Sequence, residues 1–324
     1  MTPSDEHHSG SSTTNRAQGL SLPDFASKLR ESGYIRRLIE LARDEDLMSS
    51  PDHDPHDWTG ELMFTPDQQS AANLVIREQG IVSGLAFVPD IIETFIHADE
   101  RMDWSPNILD GTAVTPKTTL GTLTGSAIAL VRIERTLLNL VSRLSGIATK
   151  TNHAVQLVQG TNAQICDTRK TTPGLRVFEK YAVRCGGGTS HRMGLHDALL
   201  IKDNHLAGLD ESAFKARVHA ASMQVRERNL DFVQVEVDTL EQLGWILSMD
   251  ATSADIVLLD NMPPETLAKA VAMRNASNPN LLLEASGGIN DTTLPSVAQS
   301  GVDRISMGAL THQAVSLDIG LDTL

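Results

Sequence analysis

Six short apolar runs recur through the second half of the chain, each ending in polar residues: "AQICDTRK", "DALLIKDN", "DFVQVEVD", "DIVLLDN", "LLLEASGG" and "DRISMG". Their centres lie roughly 20 to 35 residues apart, and "TLEQLGWILSM", "PPETLAKAVAMR" and "NDTTLPSVAQSG" between the later ones have helical periodicity. Strands apolar on both faces that alternate with helices belong in a parallel sheet covered on both sides. Six such units fit a (β/α) barrel, and a doubly wound open sheet would show a similar pattern. In both architectures ligands sit at the C-terminal ends of the strands, where loops expose polar groups above a rigid sheet.

Those ends read, in order, Asp167, Arg169 and Lys170; Lys202, Asp203 and Asn204; Glu236 and Asp238; Asp260 and Asn261; Glu284 and Ser286; Ser306 and Gly308. The first two loops are cationic, the next two acidic, and the last two small and Gly-rich. One rim with those three parts predicts anion binding, a divalent cation and a phosphate cradle. The charge distribution agrees. The chain has a formal charge of −14, yet residues 167–205 carry seven Lys or Arg against four Asp or Glu, which leaves −17 elsewhere. Such acidity argues against broad nucleic-acid binding, while a local cation cluster suits a small anion.

Residue chemistry sharpens each part. Arg169 and Lys170 precede "TTPG", a turn that stiffens the loop; the Arg fork matches a carboxylate and the compact Lys charge suits phosphate. "RCGGGTSHRMG" has a backbone free to bend around a ligand, followed by His191 and Arg192, but it lacks the strand and helix of a dinucleotide-binding loop. Lys202 ends an apolar strand, and Glu236 lies inside one, so each needs a partner. Glu236 and Asp260, on neighbouring strands, are placed to share Mg²⁺, or else to join a buried salt-bridge network. "EASGGI" and "SMGAL" put Ser286, Gly287 and Gly308 where barrels commonly hold a phosphate; His312 is a further donor or a surface histidine.

The first half has a different rhythm. Residues 1–19 have the composition of a disordered tail. "SLPDFASKLRESGYIRRLIELARDED" predicts an amphipathic helix with Ser21, Pro23 and Asp24 at its start and Leu29, Ile35, Leu38, Ile39 and Leu41 at helical spacing. "MSSPDHDPHDWTG", residues 48–60, reads as a solvated loop rather than a metal site at His53 and His56. Residues 70–135 alternate β-type runs with the helical "PDIIETFI", as in a small α+β domain. No apolar run is long enough to span a membrane, the N-terminus lacks a signal-peptide core, and the only two cysteines, Cys166 and Cys185, form no metal or disulfide pattern. A cytoplasmic protein without membrane partners is expected.

Together these blocks resemble the quinolinate phosphoribosyltransferases, also called nicotinate-nucleotide pyrophosphorylases (carboxylating). The resemblance runs over roughly residues 75 to 323 and rests on "REQGIVSGL", "ERTLLNLVSRLSGIAT", "DTRKTTPGLR", "KYAVRCGGG", "HRMGLHDALLIKDNH", "VEVDTLEQL", "IVLLDN", "EASGGI", "GALTH" and "LDIGLD" in that order. It implies an N-terminal α/β sandwich domain over residues 20–138, an incomplete seven-stranded α/β barrel over 139–312, and a tail, 313–324, that packs back on the first domain. It implies phosphoribosyl transfer from 5-phosphoribosyl 1-pyrophosphate to quinolinate with decarboxylation, a step of NAD biosynthesis, in a homodimer with shared active sites. Arg135 would cross the interface to join Arg169, His191 and Arg192 around the carboxylates of quinolinate. Lys170 and Lys202 would contact the pyrophosphate donor, Glu236 and Asp260 its Mg²⁺ and ribose, and Ser286, Gly287, Gly308 and His312 its phosphate. The chain departs from the family pattern at Ser190, where Asn is usual, and in the longer segment at 48–60.

Nicotinate phosphoribosyltransferase, a molybdenum-transport-associated homologue of the same fold, and a non-catalytic phosphometabolite-binding barrel are the alternatives. Three Arg and one His favour a dicarboxylate over the first, and retention of Glu236, Asp260, Lys170 and Lys202 disfavours the last.

Overall fold

The computed structural model describes residues 19–48 and 56–324. The expected tail, apart from Gly19, and His53 lie outside them. The first helical segment forms two helices rather than one, α1 (Leu22–Glu31) and α2 (Tyr34–Leu47). Ser21 caps α1 by accepting from the Asp24 backbone N–H at 3.3 Å, as its sequence predicts. Gly33, at φ +71°, then breaks the chain. Phe25, Leu29, Ile35 and Ile39 are buried, whereas Leu41, off that face, is exposed.

Helix α3 (Trp58–Met63) occupies part of the segment read as a loop. Asp57 caps it, accepting from the Gly60 N–H at 2.9 Å. Gly60 is a packing glycine rather than a turn signal, since a Cβ there would sit 2.3 Å from Asp57 Oδ2 and 3.1 Å from Ile128. His56 stacks on Trp58 and faces Glu61 at 3.3 Å.

The N-terminal sheet follows from β1 (Gln69–Ile76), β3 (Met102–Pro106) and β5 (Thr119–Ser126), with β2 (Gly80–Ile81) and β4 (Ala113–Val114) as a separate short pair and α4 (Val88–Phe95) between them. Its order is β12-β1-β5-β3, all antiparallel, where β12 (Ile319–Thr323) is the last strand of the chain, paired Leu321 to Leu74. Helix α5 (Ala127–Leu157) starts at a Ser126 cap and runs unbroken past residues 138 and 139, packing on β1, β5 and β12 and on the barrel helix α6 (Arg176–Cys185). Phe87 meets Phe178 and Tyr181 edge-on at 4.9 Å each, and Phe25 stacks on Tyr181. Each such pair adds about 0.5–1.5 kcal/mol beyond area burial, so the N-terminal layer and α6 share one core.

The second half alternates β6 (Gln164–Cys166), α6, β7 (Leu199–Ile201), α7 (Asp203–Leu206), α8 (Glu211–Glu227), β8 (Val233–Val237), α9 (Leu240–Leu247), β9 (Ile256–Asp260), α10 (Pro264–Ser277), β10 (Leu282–Ser286), α11 (Leu294–Gln299), β11 (Arg304–Ser306) and α12 (Ala309–His312). All six expected strands form a parallel sheet in the order β6-β11-β10-β9-β8-β7. β8 is buried along its whole length. The implied seventh strand is reduced to one parallel bridge, Thr189 with Cys166, beside β6. Three glycines precede it, and the next strand-like donor, the His191 N–H, turns to the Asp167 side chain at 2.8 Å instead of a ladder partner. The barrel is therefore open between that bridge and β7. Among the described residues no helix is long and apolar enough to cross a membrane.

Candidate active site

The C-terminal ends of the six strands enclose a cleft of about 790 Å³. Arg169, Lys170, His191, Arg192, Lys202, Glu236, Asp260, Ser286, Gly287, Gly308 and His312 all line it. The expected charge order is reproduced in space, with cations on the β6 and β7 loops, carboxylates at β8 and β9, and small residues at β10 and β11.

Arg192 is buried on the cationic wall; its Nη1 donates to the Ala198 carbonyl at 3.3 Å and its Nε has no partner. Burial, then the like charge of Arg169, lowers its pKa. Two guanidinium groups that repel each other beside an unpaired donor form a site for a carboxylate. Lys202 leaves the end of β7 and donates to Glu236 Oε2 at 2.7 Å, so the buried carboxylate inside β8 has the partner its position demands. His205 accepts the Lys202 backbone N–H on Nδ1 at 2.8 Å, which fixes the chain where that lysine departs.

Asp260 is raised above the usual carboxylate range by burial and by Asp238 and Asp203, against a 2.6 Å bond from Asn261 and the charge of Lys202. Among the described residues no three His, Cys, Asp or Glu side chains converge as a metal cluster. Two carboxylates on adjacent strands, one of them free of a lysine, nevertheless suit Mg²⁺, which takes most of its ligands from water and substrate phosphates.

The third wall depends on close backbone approach. Gly287, at φ +96°, lies where a Cβ would meet Asn261 Oδ1 at 2.2 Å. Gly308 admits Lys170, whose Cδ would stand 2.8 Å from a Cβ, and His312, whose Nε2 would stand 3.3 Å away. Thr311 ties the two loops together by donating from Oγ1 to the Lys170 carbonyl at 2.6 Å.

Arg135 is not in this cleft. It projects from α5 beside α3, is exposed, and lies 3.5 Å from Glu134. Three other cations of the 167–205 segment are structural. Lys180 is buried against Asp167 and donates to the His191 carbonyl at 3.1 Å; Arg176 donates to Thr171 and to the Met193 carbonyl; Arg184 reaches the Leu20 carbonyl and lies over Phe25.

Behind His191 lies a buried polar network in which Glu284 is one of the strand-end residues, while Gln234 and Arg304 are additions that the structure reveals. Gln234 accepts at 2.6 Å from His191 Nε2, Glu284 lies 3.4 Å from the same nitrogen, and Arg304 donates to Glu284 at 2.8 Å. Burial would raise Glu284, but His191 and Arg304 outweigh it and hold the carboxyl down to about 2. The signal for Gln234 was available: it stands two residues before Glu236, and alternate residues of a strand share a face. Cys166 and Cys185 are buried and free, and burial pushes the Cys166 thiol up to about 12.

Comparison with known proteins agrees with this geometry. Residues 57–145 match the family described as quinolinate phosphoribosyl transferase, N-terminal domain, and residues 147–322 match its C-terminal domain. The chain is 42% identical over 269 residues to a probable nicotinate-nucleotide pyrophosphorylase (carboxylating) of Bacillus subtilis, covering 82% of this chain and 87% of that one. It is 42% identical to the nicotinate-nucleotide pyrophosphorylase (carboxylating) of Mycobacterium leprae over 77% of this chain and 85% of that one. The structure of the Francisella tularensis nicotinate-nucleotide pyrophosphorylase superposes with a TM-score of 0.77 at 31% identity, covering 96% of this chain and all of that one. Human nicotinic acid phosphoribosyltransferase shares the fold at a TM-score of 0.54 and 15% identity, over 80% of this chain and 71% of that one.

Proposed function

The chain belongs to the quinolinate phosphoribosyltransferase family, and we propose that its cleft is where 5-phosphoribosyl 1-pyrophosphate and quinolinate react. The reaction transfers the phosphoribosyl group to the ring nitrogen with decarboxylation and yields nicotinate mononucleotide, pyrophosphate and CO₂, a step of NAD biosynthesis. The single observation that carries the placement is the division of one cleft into a cationic, an acidic and a glycine-lined wall.

In this reading Arg169 and Arg192 hold the ring carboxylates, with His191 beside them. The unpaired Arg192 Nε, and the lowering of that arginine's pKa by burial and then by Arg169, both favour a dianion over a monocarboxylate. Lys170 and Lys202 meet the pyrophosphate, and Ser286, Gly287, Gly308 and His312 surround the 5′-phosphate. The ring nitrogen displaces pyrophosphate from C1 of the ribose: the N–C1 bond forms as the C1–O bond breaks, and pyrophosphate leaves with the electron pair. Glu236 and Asp260 stabilise the positive charge that develops on the ribose. Mg²⁺ held by those carboxylates and by substrate oxygens would add charge to stabilise the leaving pyrophosphate. The alkylated, cationic ring then accepts the electron pair released as the adjacent carboxylate departs as CO₂, and the ring carbon takes a proton from solvent. No enzymic base is needed for that step.

A homodimer with shared sites is part of the proposal. Arg135 is exposed and remote from its own cleft, and it shares a surface hollow with Trp58 and Met63, which with Leu62 leave large apolar side chains of α3 exposed. Exposed apolar patches of this kind mark protein interfaces. Free, buried cysteines favour a reducing compartment such as the cytoplasm.

Incubation of the purified protein with quinolinate, phosphoribosyl pyrophosphate and Mg²⁺ tests the reading. CO₂ and nicotinate mononucleotide should appear together. Turnover of nicotinate in place of quinolinate, with no CO₂ released from quinolinate, would overturn it.

A further inference from the structure

His191 lies at the cationic wall, yet neither of its ring nitrogens is free to meet a substrate. Nδ1 accepts the backbone N–H of Arg192 at 2.8 Å, and Nε2 lies 2.6 Å from Gln234 Oε1 and 3.4 Å from Glu284 Oε1. A nitrogen that accepts an N–H carries no proton of its own, so the ring proton must reside on Nε2. Both groups facing Nε2 are acceptors, which agrees with that tautomer. The residue's backbone is held as firmly. Its N–H donates to Asp167 at 2.8 Å, and its carbonyl accepts from Lys180 at 3.1 Å. The ring packs edge-on against Phe232 at 5.6 Å and is buried.

The charged groups facing the ring do not override this tautomer. Glu284 is bound by Arg304 at 2.8 Å and faces the ring only through Oε1, 3.4 Å from Nε2, where the ring N–H lowers its pKa without a second proton on Nδ1. Lys180 is likewise bound to Asp167. Protonation of Nδ1 would set two donors against each other and expel the Arg192 backbone, whose guanidinium lines the cleft beside Arg169.

We infer that His191 is a positioning residue: Gln234 accepts its Nε2–H with Glu284 facing the same nitrogen, its bare Nδ1 holds the Arg192 N–H, and the ring carboxylates meet guanidinium groups rather than the imidazole ring. This inference rests on the assignment of the cleft to quinolinate, and it replaces the expectation that His191 contributes charge to the carboxylates. Gln234, Glu284 and Arg304 thereby become positioning residues for Arg192 at one remove.

Two measurements test it. In full-length protein with ¹⁵N-labelled histidine, the His191 ring signals are identified by their loss in His191→Asn or, where that variant does not fold, in His191→Gln. A bare Nδ1 and a protonated Nε2 are expected, both free and saturated with quinolinate. Two protonated ring nitrogens in the quinolinate complex, or a proton on Nδ1 in the free protein, would overturn the inference. The free-protein spectrum is read without catalysis, so failure of the quinolinate reaction and failure of this inference are separate results.

The second measurement is kinetic. The Asn Oδ1 reproduces the position of Nδ1, whereas the Gln amide reaches only the Nε2 position. His191→Gln should therefore raise KM for quinolinate about tenfold more than His191→Asn, the size of one lost hydrogen bond. An equal rise in the two variants would show that the ring's charge, not its Nδ1 acceptor, is what the substrate needs.

Discussion

The Lys202 ammonium lies 2.7 Å from Glu236, joining the last cationic loop of the cleft to its first acidic strand. Glu236 is 8% exposed and Lys202 46%, so the lysine reaches down from solvent to a carboxylate embedded in β8. The pair thus sits on the boundary between the wall proposed for pyrophosphate and the wall proposed for the ribose.

Because the two side chains act as one unit, their removal should not be additive. Lys202→Ala should lower kcat/KM by about 10²–10³, and adding Glu236→Gln should cost much less than it does alone. Steady-state kinetics on the two single variants and the double variant make the comparison. Additive losses would show that the pair is incidental.

The position of Arg135 outside its own cleft yields a complementation test. Arg135→Ala and Lys170→Ala should each be inactive. Mixed in equal amounts, refolded and assayed together, they should recover about a quarter of wild-type activity, because in a two-fold dimer each hybrid has one intact site. No recovery, with hybrids demonstrated by size or tag, would refute site sharing.

The two glycines of "SGG" should differ sharply. Gly287→Ala places a methyl group 2.2 Å from Asn261 Oδ1 at φ +96°, whereas Gly288, at φ +62°, faces open space. Gly287→Ala should lose about 2–3 kcal/mol of stability and raise KM for phosphoribosyl pyrophosphate, and Gly288→Ala should lose about 1 kcal/mol with little change in KM. Thermal unfolding and initial-rate measurements distinguish the two.

Glu284 predicts an acid dependence of stability. Its folded pKa is depressed from 4.5 to about 2, so the stabilisation is present above the unfolded value and is lost as pH falls through the folded one. A shift of that size is of the order of 3 kcal/mol. The stability difference between wild type and Glu284→Gln should be largest above about pH 5 and shrink toward about pH 2–3. Urea denaturation across that range is the measurement, and a pH-independent difference would remove Glu284 from the charge network.

All six barrel strands were legible because a buried parallel strand needs an uninterrupted apolar run; most of the polar residues that end those runs line the cleft, whereas Asp167, Asp203, Asn204 and Asp238 do not. Helix breaks were less legible. The pattern from Leu29 to Leu41 fits one helix, but the left-handed conformation of Gly33 divides it, and Leu41, which lies off the Ile35 and Ile39 face of α2, is in solvent. Composition also does not single out Lys180, one of the seven cations of the charged segment, which is buried against Asp167.

The sequence by itself determined the alternation of strands and helices, the residue types at each strand end and membership of the family, since these follow from short-range periodicity and from motifs read in order. Only the tertiary structure decided which charges face a ligand and which face each other. Lys180 and Asp167 are 13 residues apart, and His191 and Gln234 are 43 apart. Curling of the sheet and packing of its loops bring such groups together, and burial then requires each to find a partner, a condition that no local pattern encodes.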